Sequence, residues 1–197
     1  MKLVLASGNR GKLAELRDLL ADAGVELVAQ SDLGIGDAEE TGATFVENAI
    51  LKARHAAHAS GLPALADDSG LCVDALDGAP GLLSARYAGT HGDSAANIVR
   101  LLAALEGTPP DRRGAHFHCT LALLRHAGDP APLIAEGRWR GRILESARGD
   151  GGHGYDPVFL DPASGLSAAE LEPAAKNAIS HRGLALTRLR ELLAGGH

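Results

Sequence analysis

The sequence predicts an α/β protein with a mixed, twisted sheet flanked by helices, and three observations carry that prediction. Short apolar runs such as residues 3–6 alternate with stretches whose leucines recur at helical spacing, so strands and helices follow one another. Two longer strand patterns, 115–125 and 133–143, are separated by the turn Gly128-Asp129-Pro130, which predicts an antiparallel hairpin and excludes a purely parallel sheet. Hydrophobic residues make up 45% and charged residues 22% of the 197, the balance of a soluble chain, and the length suits one domain over residues 1–197. Aromatics are only 3%, so the core must come mostly from Leu, Val, Ile and Ala.

Each element has a local reason. The first strand, 3–6, stops at Ser7-Gly8-Asn9-Arg10-Gly11; Leu13, Leu16, Leu19 and Leu20 then mark a helix, with Gly24 at its end. Residues 26–29 read as a second strand, and a loop rich in glycine and acids runs from 31 to 42. Thr44 and Glu47 form a capping box for a helix through Ala59, which Gly61 and Pro63 end. Residues 64–67 and 71–73 are expected as short strands around the turn Asp68-Ser69-Gly70. Gly78, Pro80 and Gly81 mark a loop, and a helix covers about 95–105. After the hairpin, 157–160 is a short strand, and a closing helix runs from Pro173 to about Leu193, weakened in its middle by Gly183.

Charge narrows the function. With 25 acidic and 19 basic residues the net charge is −6, whereas a general nucleic-acid binder neutralises phosphates and is normally basic. A small polyanion can still bind if the basic groups converge on one cleft. Cys72 and Cys119 lack the paired spacing of a zinc site and read as small core residues in a reducing compartment. The apolar run at 3–6 is too short for a signal peptide or a membrane span, so a cytoplasmic protein with no membrane partner is expected.

Two glycine motifs fail in useful ways. Gly11-Lys12 follows a strand and opens a helix, but a P-loop needs glycine five positions before Gly11 and Ser or Thr after the lysine; Ala6 and Leu13 stand there. What remains is an anion site at a helix start: Ser7, Asn9, the backbone N–H groups from Gly8 to Lys12, and the charge of Lys12. Gly149, Gly151 and Gly154 match the dinucleotide fingerprint formally, but Tyr155-Asp156-Pro157 follows where a helix should open. A loop bearing His153, Tyr155 and Asp156 describes that segment better.

Acids and lysines then point to a magnesium-phosphate substrate. Glu39-Glu40 precedes the Thr44 helix, and Asp67-Asp68 lies at a strand end. On pattern alone Asp67-Asp68 fits a magnesium site and a solvated turn equally, and neighbours on a strand face opposite ways, so only one easily reaches a metal. Only four of the 19 basic residues are lysines, and Lys12, Lys52 and Lys176 all fall beside suspected features. A lysine gives phosphate a compact point charge. No G-x-S-x-G elbow supports a serine hydrolase, and the nine histidines show no H-E-x-x-H.

Taken in order, the segments Ala6-Ser7-Gly8-Asn9-Arg10-Gly11-Lys12, Glu39-Glu40-Thr41-Gly42, Phe45-Val46-Glu47-Asn48-Ala49 on to Lys52, Ala66-Asp67-Asp68-Ser69-Gly70-Leu71, Gly78-Ala79-Pro80-Gly81, Ser84-Ala85-Arg86-Tyr87, Gly154-Tyr155-Asp156-Pro157 and Lys176-Asn177-Ala178-Ile179-Ser180-His181-Arg182-Gly183 resemble the inosine/xanthosine triphosphate pyrophosphatases, end to end. The resemblance implies two lobes with a central active-site cleft, a homodimer, and magnesium-dependent hydrolysis of ITP, dITP or XTP to monophosphate and pyrophosphate. It implies that Ser7, Gly8, Asn9, Arg10, Gly11 and Lys12 hold phosphates and that Lys52 helps neutralise them. Glu40 and Asp68 would bind magnesium, Asp68 would also activate water, and Ser69 would touch the substrate nearby. His153, Gly154, Tyr155, Asp156, Lys176, His181 and Arg182 would enclose the nucleoside. One departure stands out: the family usually has phenylalanine where this chain has His153. A related pyrophosphatase with another base preference, or a nucleotide-binding regulator without turnover, would share these residues. A panel of bases separates the first, and binding without pyrophosphate release marks the second.

Overall fold

A computed structural model of the chain describes residues 2–8, 10–20 and 25–195. Its strands are β1 (Lys2–Ala6), β2 (Glu26–Ala29), β3 (Ala64–Val73), β4 (Gly114–Leu124), β5 (Leu133–Ile143) and β6 (Phe159–Leu160). Its α-helices are α1 (Arg10–Leu20), α2 (Phe45–Ser60), α3 (Ser94–Ala104), α4 (Pro173–Ile179) and α5 (His181–Ala194). The six strands form one sheet in the order β2-β1-β3-β4-β5-β6. β1 pairs in parallel with β2 and β3, and β5 pairs antiparallel with β6, so the sheet is mixed, as the sequence predicts. β4 and β5 are neighbours in the sheet, with bounds close to those read from the sequence. The helix end expected at Gly24 lies outside the described residues.

Two expectations are corrected. Asp68-Ser69-Gly70 is no turn: β3 runs unbroken for ten residues through it. Asp67, Asp68 and Gly70 are buried there, and strand pairing and packing override the local turn signal. The closing helix is divided at Ser180, which is extended (φ −67°, ψ 155°), while Gly183 stays helical and buried inside α5. A glycine costs about 1 kcal/mol in a helix, less than the packing of the buried face of α5 returns. Cys119 is buried as expected, but Cys72 is only half-buried.

The described chain divides into two compact units. Unit 1 comprises residues 1–68, 119–137 and 181–197, and unit 2 comprises 69–118 and 138–180. The core of unit 1 is aliphatic: Leu3, Leu5, Leu16, Leu65, Leu121 and Leu186 in one cluster, and the alanines of α2 against Val4, Ala66 and Leu124 in another. Small alanines at Ala49, Ala53, Ala56 and Ala57 form the buried face of α2. Unit 2 holds the aromatic core, where Phe117, Trp139 and Phe159 pack with ring centroids 4.5–6.2 Å apart. Trp139 also donates its indole N–H to Asp161 Oδ1 at 3.1 Å, so the ring is buried with its polar atom satisfied. No described helix is long and apolar enough to cross a membrane.

Candidate active site

The site in unit 1 starts from two neighbouring carboxylates on β3. Consecutive strand side chains point to opposite faces, and Asp67 and Asp68 accordingly meet different partners. Asp68 turns to α2. Thr44 caps that helix by accepting the Glu47 N–H at 3.3 Å, the first half of the predicted box, and the Glu47 carboxylate reaches back over the cap to accept the Ala43 N–H at 2.9 Å. One turn on, buried Asn48 accepts the Gly42 N–H at 2.8 Å and so ties down the loop that carries Glu40. The loop passes so close that a Cβ on Gly42 would lie 2.6 Å from Glu47 Cβ and 2.7 Å from Asn48 Oδ1; only glycine fits.

Another turn along α2, Lys52 sends its ammonium to three acceptors: Glu40 Oε1 at 2.9 Å, the Asp67 carbonyl at 2.9 Å and Asp68 Oδ1 at 2.6 Å. Burial works against the charge on Lys52, but Asp68 and Glu40 outweigh it, and its pKa is raised. Burial pushes the Asp68 carboxyl up, and the ammonium of Lys52, with a weaker contribution from Lys12, only partly offsets it. The second oxygen, Asp68 Oδ2, is buried with no hydrogen-bond partner among the described residues. A buried acceptor left open in this way calls for a ligand.

Asp67 is fully buried and its carboxylate is closed. Lys12 Nζ lies 2.8 Å from Oδ1, and Oδ2 accepts Arg182 Nε at 2.7 Å and Cys119 Sγ at 3.3 Å. Arg182 in turn pairs with Glu15. Although burial alone would raise it, Arg182 and then Lys12 hold the Asp67 carboxyl well below the usual range. The Cys119 thiol is pushed far up, by burial first and by Asp67 second.

The start of α1 brings the phosphate candidates together. Ser7 is buried at the end of β1, and Gly11 and Lys12 lie in the first turn, which contains no acidic residue. Asn9 lies outside the described residues, as does the side chain of Arg10. Asp37 lies against Gly8, where a Cβ would come within 2.8 Å of its carboxylate. His181 and Arg182 open α5 in the same unit, both buried.

Unit 2 holds the other candidates. Asp156 is buried and accepts the His153 N–H at 2.7 Å and Lys176 Nζ at 2.8 Å. Gly152 has φ +72° and its backbone passes against the Asp156 carboxylate, so a side chain is excluded there twice over. Tyr155 turns into the aromatic core and donates its hydroxyl to the Ser84 carbonyl at 2.8 Å, which leaves its backbone as the part nearest His153 and Asp156. After Gly154 the chain makes a single 3-10 turn over Asp156–Val158 and no α-helix, as the failed fingerprint predicts. Ser69 follows Asp68 on β3 and is half-buried.

Two residues of this constellation, Glu15 and Cys119, escaped the sequence reading, which weighed Asp67 only as the alternative to Asp68 at a magnesium site. Glu15 had a local signal, since it follows Lys12 by three residues and shares its helix face. Arg182 reaches Asp67 across 115 residues, a separation no local pattern spans.

Comparison with known proteins identifies the family. The Ham1 family model matches residues 3–192. A dITP/XTP pyrophosphatase of Xanthomonas oryzae pv. oryzae is 61% identical over 191 residues, 97% of this chain and 96% of that protein. A HAM1 protein from Coxiella burnetii superposes with a TM-score of 0.91 at 52% identity, covering 100% of both chains. A nucleoside-triphosphatase / dITP/XTP pyrophosphatase from Mycobacterium abscessus gives 0.76 at 48% identity, covering 96% of this chain and 98% of that one. Sequence and fold thus agree over nearly the whole length, and the chain belongs to the Ham1 family.

Proposed function

We propose that this protein hydrolyses the triphosphates of inosine, deoxyinosine and xanthosine to the monophosphate and pyrophosphate with magnesium, and so clears non-standard purines from the nucleotide pool. Its class, a nucleoside-triphosphate pyrophosphatase, is that of relatives such as the 61% identical Xanthomonas protein. The observation that carries the finer reading is the open, buried Oδ2 of Asp68 beside Lys52 and Glu40.

The donor set fits magnesium. Glu40 and Asp68 meet at one ammonium, and no cluster of three or more acids, histidines or cysteines occurs among the described residues. An ion that takes one or two carboxylates and completes its shell with phosphate oxygens and water needs no preformed cage. Bound by Glu40 and Asp68, magnesium would offset the charge of the triphosphate.

The chain's own groups do the rest. Asp68 takes a proton from water, whose oxygen bonds to the α-phosphorus as the bond to the bridging oxygen breaks and pyrophosphate departs. Lys12 and the N–H groups at the start of α1 hold the phosphates and Lys52 helps neutralise them, so positioning and electrostatics supply most of the rate. A donor reads the 6-keto oxygen of the base; adenine offers an amino group there, which leaves two donors facing each other. With Arg182 Nε and Nη1 engaged by Asp67 and Glu15, His181 is the better source of that donor. In unit 2, His153, Gly154, Tyr155, Asp156 and Lys176 are the nucleoside-contact candidates, and Ser69 the residue that touches substrate beside Asp68. Family resemblance also supports a homodimer in the cytoplasm, and light scattering on the purified protein tests the first of these.

The decisive experiment is pyrophosphate release from ITP, XTP, GTP and ATP with magnesium, run beside Asp68→Asn. Strong release from ITP and XTP, lost in the variant, is expected. Release of single phosphates, or a variant as active as the parent, overturns the mechanism.

A further inference from the structure

Lys12 stands at the start of α1 on a long, flexible stem, yet its ammonium has a fixed address. Asp67 Oδ1 lies 2.8 Å away, and the Asp67 side chain is fully buried. The other oxygen of Asp67 is held by Arg182 Nε at 2.7 Å, and Arg182 is itself 1% exposed. Arg182 also grips Glu15, three residues after Lys12 on the same face of α1. The first turns of α1 are therefore tied at two points, Lys12 and Glu15, to one buried frame contributed by β3 and α5.

We propose that Asp67 is a positioning residue for the phosphate end of the reaction, acting through Lys12. The inference rests on reading Lys12 as a phosphate-binding group. A lysine ammonium has three donors, and giving one to a fixed carboxylate sets the direction of the others without discharging the group. Arg182 shares the charge of Asp67, so Lys12 is not its sole counter-ion. Pre-ordering in this way lowers what must be ordered when substrate arrives, and its loss falls on binding of the phosphates more than on the bond-breaking step.

A double-mutant cycle tests this. Asp67→Asn, Lys12→Gln and the double variant are measured for KM and kcat with ITP and magnesium, for inhibition by inorganic pyrophosphate, and for melting temperature. Asp67→Asn is expected to raise KM and the pyrophosphate inhibition constant by about tenfold or more, and to cost less than about threefold once Lys12 is glutamine. A full, undiminished penalty in the Lys12→Gln background, or a lower melting temperature with unchanged KM and pyrophosphate inhibition, overturns the inference. If Lys12→Gln alone leaves both constants intact, the phosphate reading of Lys12 falls and this inference with it. Should Asp67→Asn not fold, Glu15→Gln carries the cycle, because it loosens Arg182 while keeping Asp67. It is expected to raise KM by about threefold only when Lys12 is present, and an unchanged KM overturns the inference.

Discussion

Asp67 and Asp68 are covalent neighbours on β3 and both are buried, yet one carboxylate is closed and the other open. Two cations and a thiol occupy both oxygens of Asp67, whereas one ammonium takes a single oxygen of Asp68 and leaves the other unpartnered. Burial pushes both acids up; Arg182 and Lys12, both in direct contact, overcome it at Asp67, whereas Lys52 and the more weakly acting Lys12 do not at Asp68, where Glu40 adds to it, so their pKa values move in opposite directions. The lesson is that burial alone does not decide what an acid does. A carboxylate with every lone pair committed holds structure in place, and one with an uncommitted, desolvated oxygen is poised for chemistry.

Breaking the open side should have the largest effect on turnover. Asp68→Asn is expected to lower kcat by about 10³-fold, within the range for a lost general base. Its effect on stability should be far smaller. An acid whose folded pKa is raised binds its proton more tightly when folded, so ionisation costs stability as pH rises from the ordinary carboxylate value through the folded one. Removing that acid removes the cost but also takes one carboxylate from the largely buried Lys52 ammonium, which keeps Glu40, so the magnesium-free variant should melt within a few degrees of the parent at neutral pH. A melt several degrees lower would erase the distinction between the two acids.

The closed side should show the reverse balance in stability. Asp67→Ala takes from buried Arg182 the carboxylate at its Nε, a break worth about 3–5 kcal/mol, or roughly 6–20 °C in Tm for a chain of this size. Circular dichroism checks it, and a parent-like melt would mean that the network is not structural. Smaller effects sharpen the contrast. Glu40→Gln should weaken magnesium activation about tenfold, in line with the loss of a charge-assisted ligand contact, with Tm within a few degrees; an unchanged magnesium dependence would remove Glu40 from the metal site. Smallest of all, His153→Phe should change KM by about two- to tenfold, the worth of an aromatic stack, and leave kcat alone. A large loss of kcat at constant KM would contradict a stacking role.

Much of unit 1 was legible because its signals are local. The capping box at Thr44 and Glu47, the lysine four residues beyond Asn48, and the failed P-loop with its surviving anion site are all read within a few residues of chain. The sequence also shows that only one of Asp67 and Asp68 can face a metal, because alternation along a strand is a matter of geometry. What escaped it depends on distant partners. Asp68-Ser69-Gly70 has the composition of a turn and becomes strand because its neighbours pair and bury it. Ser180, not Gly183, divides the last helix, since packing outweighs propensity there. Arg182, grouped by resemblance with the nucleoside contacts, has its Nε and Nη1 on carboxylates of β3 and α1.

The unequal burial of the lysines makes the chain selective toward reagents that acylate amines. All four lysines pair with a carboxylate, Lys2 with Glu26 at 3.8 Å, but the side chains of Lys12, Lys52 and Lys176 are only 16%, 12% and 8% exposed, while that of Lys2 is 49% exposed. Acylation requires an accessible, deprotonated amine, and the raised pKa of Lys52 opposes it further. Among the lysines, a fluorophore or a surface linker introduced as an activated ester should therefore attach at Lys2, at the start of β1, and spare the three that are mostly covered.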